Sequence, residues 1–367
     1  MILDLIKLTS TTGSPTSIDS GEIINGYSNV MWVERYSEPG EFIITAPLSS
    51  GLMEMLPLDS LISHLNTTEI MMVENHEIEQ EEDEDPKLII TGRSFLAFLE
   101  HRVLGDNYAS TPNYDIPEYL MASATTAQHI TLLIRDHLDI TTHATYSLPD
   151  FAVVNVASGT LTTEERTLEY ETLDQVVQKL LAIDDLGIRS YRPSGVNPNC
   201  GFIVHNGTNK TETVRFSWRN GDLKSLKYFS TIKNKKTYVR TMGRWIQEIY
   251  EEPGDGYFRR GMTLDASDVD QQHQTMPIST ALLWGRIVMD IRGKAAIAAN
   301  NGMSIIQADA SPDSNLAFRR DYKIGDLVTV EGDFGVSNIM RVTEYAETDD
   351  EKDGYSGHPT LSIPGGE

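Results

Sequence analysis

Trp32-Val33-Glu34-Arg35-Tyr36-Ser37-Glu38-Pro39-Gly40-Glu41-Phe42-Ile43-Ile44-Thr45-Ala46-Pro47 holds two short apolar-rich runs separated by Glu38 to Glu41. Proline presets its own φ and glycine accepts a positive one, so Pro39-Gly40 reads as a tight turn joining two strands. Strand, Gly-bearing turn and strand recur along the chain. No comparably clear pattern of catalytic residues accompanies them.

Upstream, Ile2-Leu3-Asp4-Leu5-Ile6 reads as a strand whose partner returns into Trp32. Downstream, Leu56 to Leu65 is apolar, and Glu69 to Glu79 carries Ile70, Met72 and Ile78 as a further strand pair. The acidic run Glu79 to Asp85 reads as a solvated loop tip, since Pro86 follows at once and no glycine-bearing calcium loop is present. Leu88 to Leu99 changes period halfway, from a buried strand through Gly92 to a short helix presenting Phe95, Leu96, Phe98 and Leu99. Gly105 is a plausible stop.

Residues 106–200 read as α+β. Thr125 and Gln128 form a capping-box pattern ahead of Ile130, Leu133, Ile134 and Leu138. Thr172 and Gln175 repeat it ahead of Leu173, Val176, Val177, Leu180 and Leu181, with Gly187 placed as the C-terminal cap. Phe151 to Thr160 reads as strand. Val214, Phe216 and Trp218 alternate with polar residues ahead of Asn220-Gly221, the favoured type I′ dipeptide. With Leu223 to Tyr228 and Tyr238 to Arg240 they predict a three-strand meander. Residues 251–275 read as a surface loop and Thr280 to Asn301 as mostly helical. Tyr322 to Val330, Ile339 to Tyr345 and Thr360 to Ile363 close the chain as a small antiparallel sheet, with a hairpin at Asp333 to Gly335.

The chain has 367 residues and is 40% hydrophobic, enough for packed cores. Its one cysteine, Cys200, excludes an internal disulfide framework and a Cys-based zinc site, as suits a reducing compartment. Met1 to Leu8 is too short for a signal-peptide core, and no run reaches the roughly 18 apolar residues of a membrane span. The formal charge of −24, from 54 acidic and 30 basic residues, should repel nucleic acid rather than grip it. It implies either solubility or a surface that nucleic acid passes without sticking.

Enzymatic signatures are missing: there is no Gly-x-Ser-x-Gly elbow, P-loop, Gly-x-Gly-x-x-Gly fingerprint or His-Glu-x-x-His pair. His129, His137 and His143 with Asp136 and Asp139 come nearest to a metal set, but an eight-residue spacing does not fit a two-histidine helical site. Asp349-Asp350-Glu351-Lys352-Asp353-Gly354 imitates a calcium loop, yet Thr360 stands at the twelfth position, where a bidentate carboxylate is needed. It reads as a hairpin tip. No residue is assigned a catalytic, cofactor-binding or metal role, and no cofactor is expected.

Five stretches in order resemble one family: Trp32 to Tyr36 with Glu38 to Phe42; Thr91-Gly92-Arg93-Ser94-Phe95-Leu96; Thr172-Leu173-Asp174 with its helix; Arg215-Phe216-Ser217 before Asn220-Gly221-Asp222-Leu223; and Tyr322-Lys323-Ile324-Gly325-Asp326-Leu327-Val328. Together they are similar to hub-like tail-tip proteins of long-tailed bacteriophages, part of the wider baseplate-hub group, over residues 2 to 363. The resemblance implies an α+β, β-rich fold with two barrel-like tail-tube domains and peripheral α/β domains. The corresponding division is a first barrel-like domain at 1–104, an α/β insert at 105–200, a meander joining the barrels at 201–250, and a second barrel-like, β-rich region at 251–367.

The function implied is a non-enzymatic virion protein, a homotrimeric ring closing the distal end of the tail tube and adapting six-fold to three-fold symmetry. Partners implied are further copies of itself, the distal tail protein ring or tail tube protein, the tape measure protein, and receptor-binding or tip proteins. Genome DNA would pass without specific binding, in a virion assembled in the bacterial cytoplasm. The chain ends soon after its last strand, without the long C-terminal extension that carries a wall-degrading or host-binding module in some relatives. The alternatives are a tail-bound depolymerase or peptidase and the hub of a contractile injection device.

Overall fold

The computed structural model describes residues 3–9, 20–82, 85–103, 118–138, 152–157, 164–169, 171–192, 200–233, 235–243, 247–251, 259–267, 286, 289, 292–293, 296–297, 300, 303–311, 314–333 and 337–364. They fall into two compact units, one of residues 1–226 with 308–367 and one of residues 227–307. The sequence expectation set residues 1–104 and 251–367 apart; here strands from both share one sheet.

In chain order the first unit begins with β1 (Leu5–Thr9), β2 (Ser20–Ile23), β3 (Asn29–Arg35) and β4 (Glu41–Pro47), then the single turn α1 (Leu52–Met55). Strands β5 (Leu61–His64), β6 (Met71–Glu79) and β7 (Lys87–Ser94) follow, and a 3-10 helix, Phe95–His101. β8 (Glu118–Ala124), α2 (Thr126–Leu138), β9 (Ala152–Asn155), β10 (Glu164–Glu169), α3 (Leu173–Ile183), β11 (Gly187–Tyr191) and β12 (Gly201–His205) make the insert. The chain continues through β13 (Arg215–Ser217), β14 (Leu223–Thr231), β15 (Tyr238–Met242), β16 (Gln247–Glu251), β17 (Gly261–Asp265) and β18 (Met303–Ala310). It ends with β19 (Leu327–Glu331), β20 (Ser337–Asp350) and β21 (Gly354–Ser362).

The opening hairpin forms as its sequence predicts, with Trp32 opposite Phe42 and Val30 opposite Ile44 in an antiparallel pair. Period-two alternation puts these four side chains on one buried face. The turn differs from expectation, because residues 36–40 separate the strands and Gly40 has no positive φ among the backbone exceptions. Glycine is needed there for close approach: a Cβ would lie 2.2 Å from the Val33 carbonyl oxygen.

This hairpin is central to an 11-stranded sheet ordered β13-β19-β20-β3-β4-β7-β6-β5-β1-β2, with β21 on β20. β20 pairs with β19 through residues 337–341 and with β3 through residues 344–350, while β21 runs along its other edge. The register shifts between Val342 and Glu344, where a bulge bends the strand from one pairing to the next. The sheet path is open at β13 and β2, and the described strands close no barrel. The fold is β-rich and mixed, with few helices.

Two apolar clusters hold this unit. One fills the β1–β7 face around Trp32, Phe42, Ile44, Ile62 and Met71. The other joins Ile70, Phe95 and Leu99 to α2, α3, β11 and β12, and so binds the insert to the sheet. Both helices start as predicted. Gln128 accepts from the Thr125 N–H at 3.0 Å while Thr125 accepts from the Gln128 N–H at 3.2 Å; Thr172 and Gln175 form the same box. The C-terminal cap was misplaced: Asp185 carries the positive φ after α3. Gly187 begins β11, where a Cβ would meet the Tyr36 ring at 2.2 Å.

The predicted meander does not form. β13 pairs in parallel with β19, β14 pairs with β18, and β15 lies between β16 and β17. Gly221 has a positive φ but Asn220 does not, so a type I′ hairpin is absent. In the second unit Val239, Thr241 and the helical residues Met289 and Ile297 are buried, and Thr241 donates to the Met289 carbonyl at 3.3 Å. Most of the helix expected over Thr280 to Asn301, and most of the 251–275 loop, lie outside the described residues, as do residues 334–336 of the β19–β20 turn. No described helix is long and apolar enough to cross a membrane.

Candidate functional site

Alternation along β3 places Glu34 on the same buried face as Trp32, and alternation along β20 buries Glu347 between Tyr345 and Asp349. Since Glu347 stands opposite Trp32 and Tyr345 opposite Glu34, the two carboxylates face one place. His64, at the end of β5, is fully buried against them and meets the Trp32 ring edge-on at 5.1 Å. Three ionisable groups thus occupy positions where a strand pattern calls for apolar side chains. A buried charge is costly unless it is paired.

Arg319 pairs them. Its Nη2 donates to Glu34 at 2.7 Å and to Glu347 at 2.8 Å, and its Nη1 donates to Glu347 at 2.9 Å. The backbone of Arg319 has φ +67°, a conformation rare for a residue with a side chain, held by a bond from its N–H to the Tyr322 carbonyl at 2.7 Å. His64 Nδ1 accepts from the Asn66 N–H at 3.3 Å, and its Nε2 stands 3.4 Å from Glu347. Tyr355 also donates to Glu347, at 2.6 Å.

Electrostatics follow from this geometry. Burial pushes the Glu347 carboxyl upward, but its bonds from His64 and Arg319 outweigh that and hold it at about 2. Burial disfavours the Arg319 charge, and its carboxylate partners more than restore it, raising it above the usual arginine value. Glu34, His64 and Glu347 have the donor set of a metal site. The Arg319 guanidinium already stands against all three, 3.1 Å from His64 Nε2, and supplies the positive charge such an ion would bring. Arg319 and Glu347 line a cleft of about 580 Å³ together with Phe318 and Tyr345, whose rings stack 3.7 Å apart.

Two further polar joints tie the insert to the sheet. Ser94 donates to the buried Glu69, and Ser190 of β11 donates to it at 2.8 Å. Burial, then the Glu34 charge, raise the Glu69 carboxyl to about 7. These bonds fasten β7 and β11 to the segment that carries Glu69. At the other joint Arg341 donates to Asp185 and to the Gly325 carbonyl, each at 2.6 Å, and lies over the Tyr36 ring at 4.7 Å. His205, edge-on to the same ring, is pushed down to about 3 by burial and by the Arg189 and Arg341 charges.

A family model described as Siphovirus ReqiPepy6 Gp37-like protein matches residues 18–361. The chain belongs to this family. Comparison with curated proteins gives no match. The fold of this ReqiPepy6 Gp37-like protein is shared with the prophage tail protein gp18 from Listeria monocytogenes EGD-e, at TM-score 0.58 and 10% identity over 98% of this chain and 94% of that one. The tail protein from Neisseria meningitidis MC58 matches at TM-score 0.56 and 12% identity, over 99% and 96% of the two chains. A 43 kDa tail protein of prophage MuSo2 from Shewanella oneidensis matches at 0.56 and 10%, over 99% and 98%. Identity this low establishes a common fold, and the resemblance to phage tail proteins read from the sequence holds.

The sequence assigned this Gp37-like chain no site residue. His129 and His137, taken there as a weak metal set, are buried in the α2 face, and His137 Nδ1 sits 2.8 Å from the Leu133 carbonyl; His143 and Asp139 lie outside the described residues. Asp350 accepts from the N–H groups of Lys352 and Asp353, a hairpin tip as expected. Glu34, His64, Arg319 and Glu347 were missed. Their signal is charge at inward positions of Val30-x-Trp32-x-Glu34 and Tyr345-x-Glu347-x-Asp349, visible only once strand registers are known.

Proposed function

We propose that this Gp37-like protein is a structural virion component, a hub at the tip or baseplate of a phage tail. The correspondence to three phage tail proteins over 98% or more of its length carries this reading. The hub is a homotrimer that closes the distal end of the tail tube and adapts its six-fold symmetry to three-fold tip machinery. Its neighbours are the distal tail ring or tube protein, the tape measure protein and receptor-binding or tip proteins.

The interior chemistry supports scaffolding over turnover. Glu34 and Glu347 are committed to Arg319, and Glu69 to serine hydroxyls, contacts that fix strand to strand. An acidic lumen suits DNA passage, because cationic walls would hold phosphates and stall it. The test is imaging of the purified protein alone and with its distal tail ring. A three-fold annulus capping the ring is expected; a strict monomer that ignores the ring overturns the reading.

A further inference from the structure

Charge divides unevenly between the two compact units. Residues 227–307 contain eleven Lys and Arg against eight Asp and Glu, a formal +3, whereas the rest contains nineteen against forty-six, a formal −27. Net charge therefore disfavours contacts between two larger units and favours contacts in which unlike charges face each other. One segment of each sign also exposes large apolar side chains. In the sequence, residues 74–85 hold eight acidic residues and no Lys or Arg; in the outer half of β6, Ile78 is 50% exposed, on the face opposite to Glu77 and Glu79. Residues 224–236 hold five lysines and no acid, with Phe229 51% and Ile232 56% exposed beside Lys227 and Lys233.

Both segments also present strand edges. β6 meets β5 only at Met71 and Met72, so from Glu74 outward no described strand covers that side. β14 pairs with β18 alone among the described strands. Open edges are ordinarily blunted or covered, because their backbone groups template pairing with another chain.

Resting on the hub reading, we infer that copies of this chain assemble head to tail, the acidic β6–β7 hairpin of one copy seated on the basic β14 segment of the next. The two surfaces differ, so the contact is heterologous and generates a ring when its rotation closes. Charge selects the pairing, while Ile78, Phe229 and Ile232 supply the apolar surface that a salt-screened contact alone would lack.

The experiment measures the oligomeric state of the full chain by light scattering and native mass spectrometry, with circular dichroism confirming the fold of each variant. Lys227→Glu with Lys233→Glu, and separately Glu77→Lys with Glu79→Lys, should each weaken self-association at least 10-fold. All four changes in one chain should restore it. Phe229→Ser, which leaves charge unaltered, should weaken it as well. A trimer that survives both reversals and Phe229→Ser overturns this contact and leaves the hub reading standing. A wild-type chain that stays monomeric with and without the distal ring overturns both.

Discussion

Arg319 balances two buried carboxylates from strands that are 313 residues apart in sequence, Glu34 on β3 and Glu347 on β20. Removing one partner of a buried ionic group leaves uncompensated charge and costs about 3–5 kcal/mol. Arg319→Met should lower unfolding free energy by that order in urea, and Glu347→Gln added to it should recover part of the loss. Acid tests the same group: Glu347 is held at about 2 against an ordinary 4.5, so its stabilisation is present above pH 4.5 and is lost as pH falls towards 2.

Glu69 has the opposite sign. Raised to about 7 from 4.5, it keeps in the folded state a proton that the unfolded chain releases, so stability is full below pH 4.5 and declines as pH rises to about 7. At roughly 1.4 kcal/mol per pKa unit that decline is on the order of 3 kcal/mol. Urea midpoints of Glu69→Gln between pH 4.5 and 8 should lose this slope. A slope identical to wild type would assign it to other groups.

At the scale of elements, local chemistry was legible where a single segment suffices. Both capping boxes and the existence of the opening hairpin follow from neighbouring residues alone, whereas the register of Trp32 opposite Phe42 does not, because five residues rather than a tight turn separate the strands. Thr172→Ala should cost about 1 kcal/mol by stranding donors at the start of α3, measurable in thermal unfolding. Partner choice was not legible. β13 carries good strand alternation, yet it finds β19 rather than β14, because a period-two pattern fixes which face is buried and says nothing about which edge is met. Glycines were misread for a related reason: Gly40 and Gly187 are required by atoms of Val33 and Tyr36 brought near by the fold, and their own φ does not show it. Gly40→Val drives a side chain into backbone and should yield insoluble protein or, on the proposed hub reading, no trimer, read by soluble yield and light scattering.

For the whole molecule, the formal charge of −24 bears on the proposed hub. If part of it lines a DNA channel, lysines placed on lumen-facing carboxylates of the assembled hub should slow genome ejection measured by dye release; unchanged ejection would remove the channel from the account. The sequence by itself determined the β-rich α+β class, the two helices with their starts, the opening hairpin and the phage-tail resemblance. These rest on period, capping and turn chemistry, which act over a few residues. The tertiary structure alone decided that chain ends meet at β3 and β20, that residues 227–307 form a compact unit, and that Arg319 gathers Glu34, His64 and Glu347. Long-range pairing is set by the shape and charge of completed surfaces, and no short window of sequence contains those.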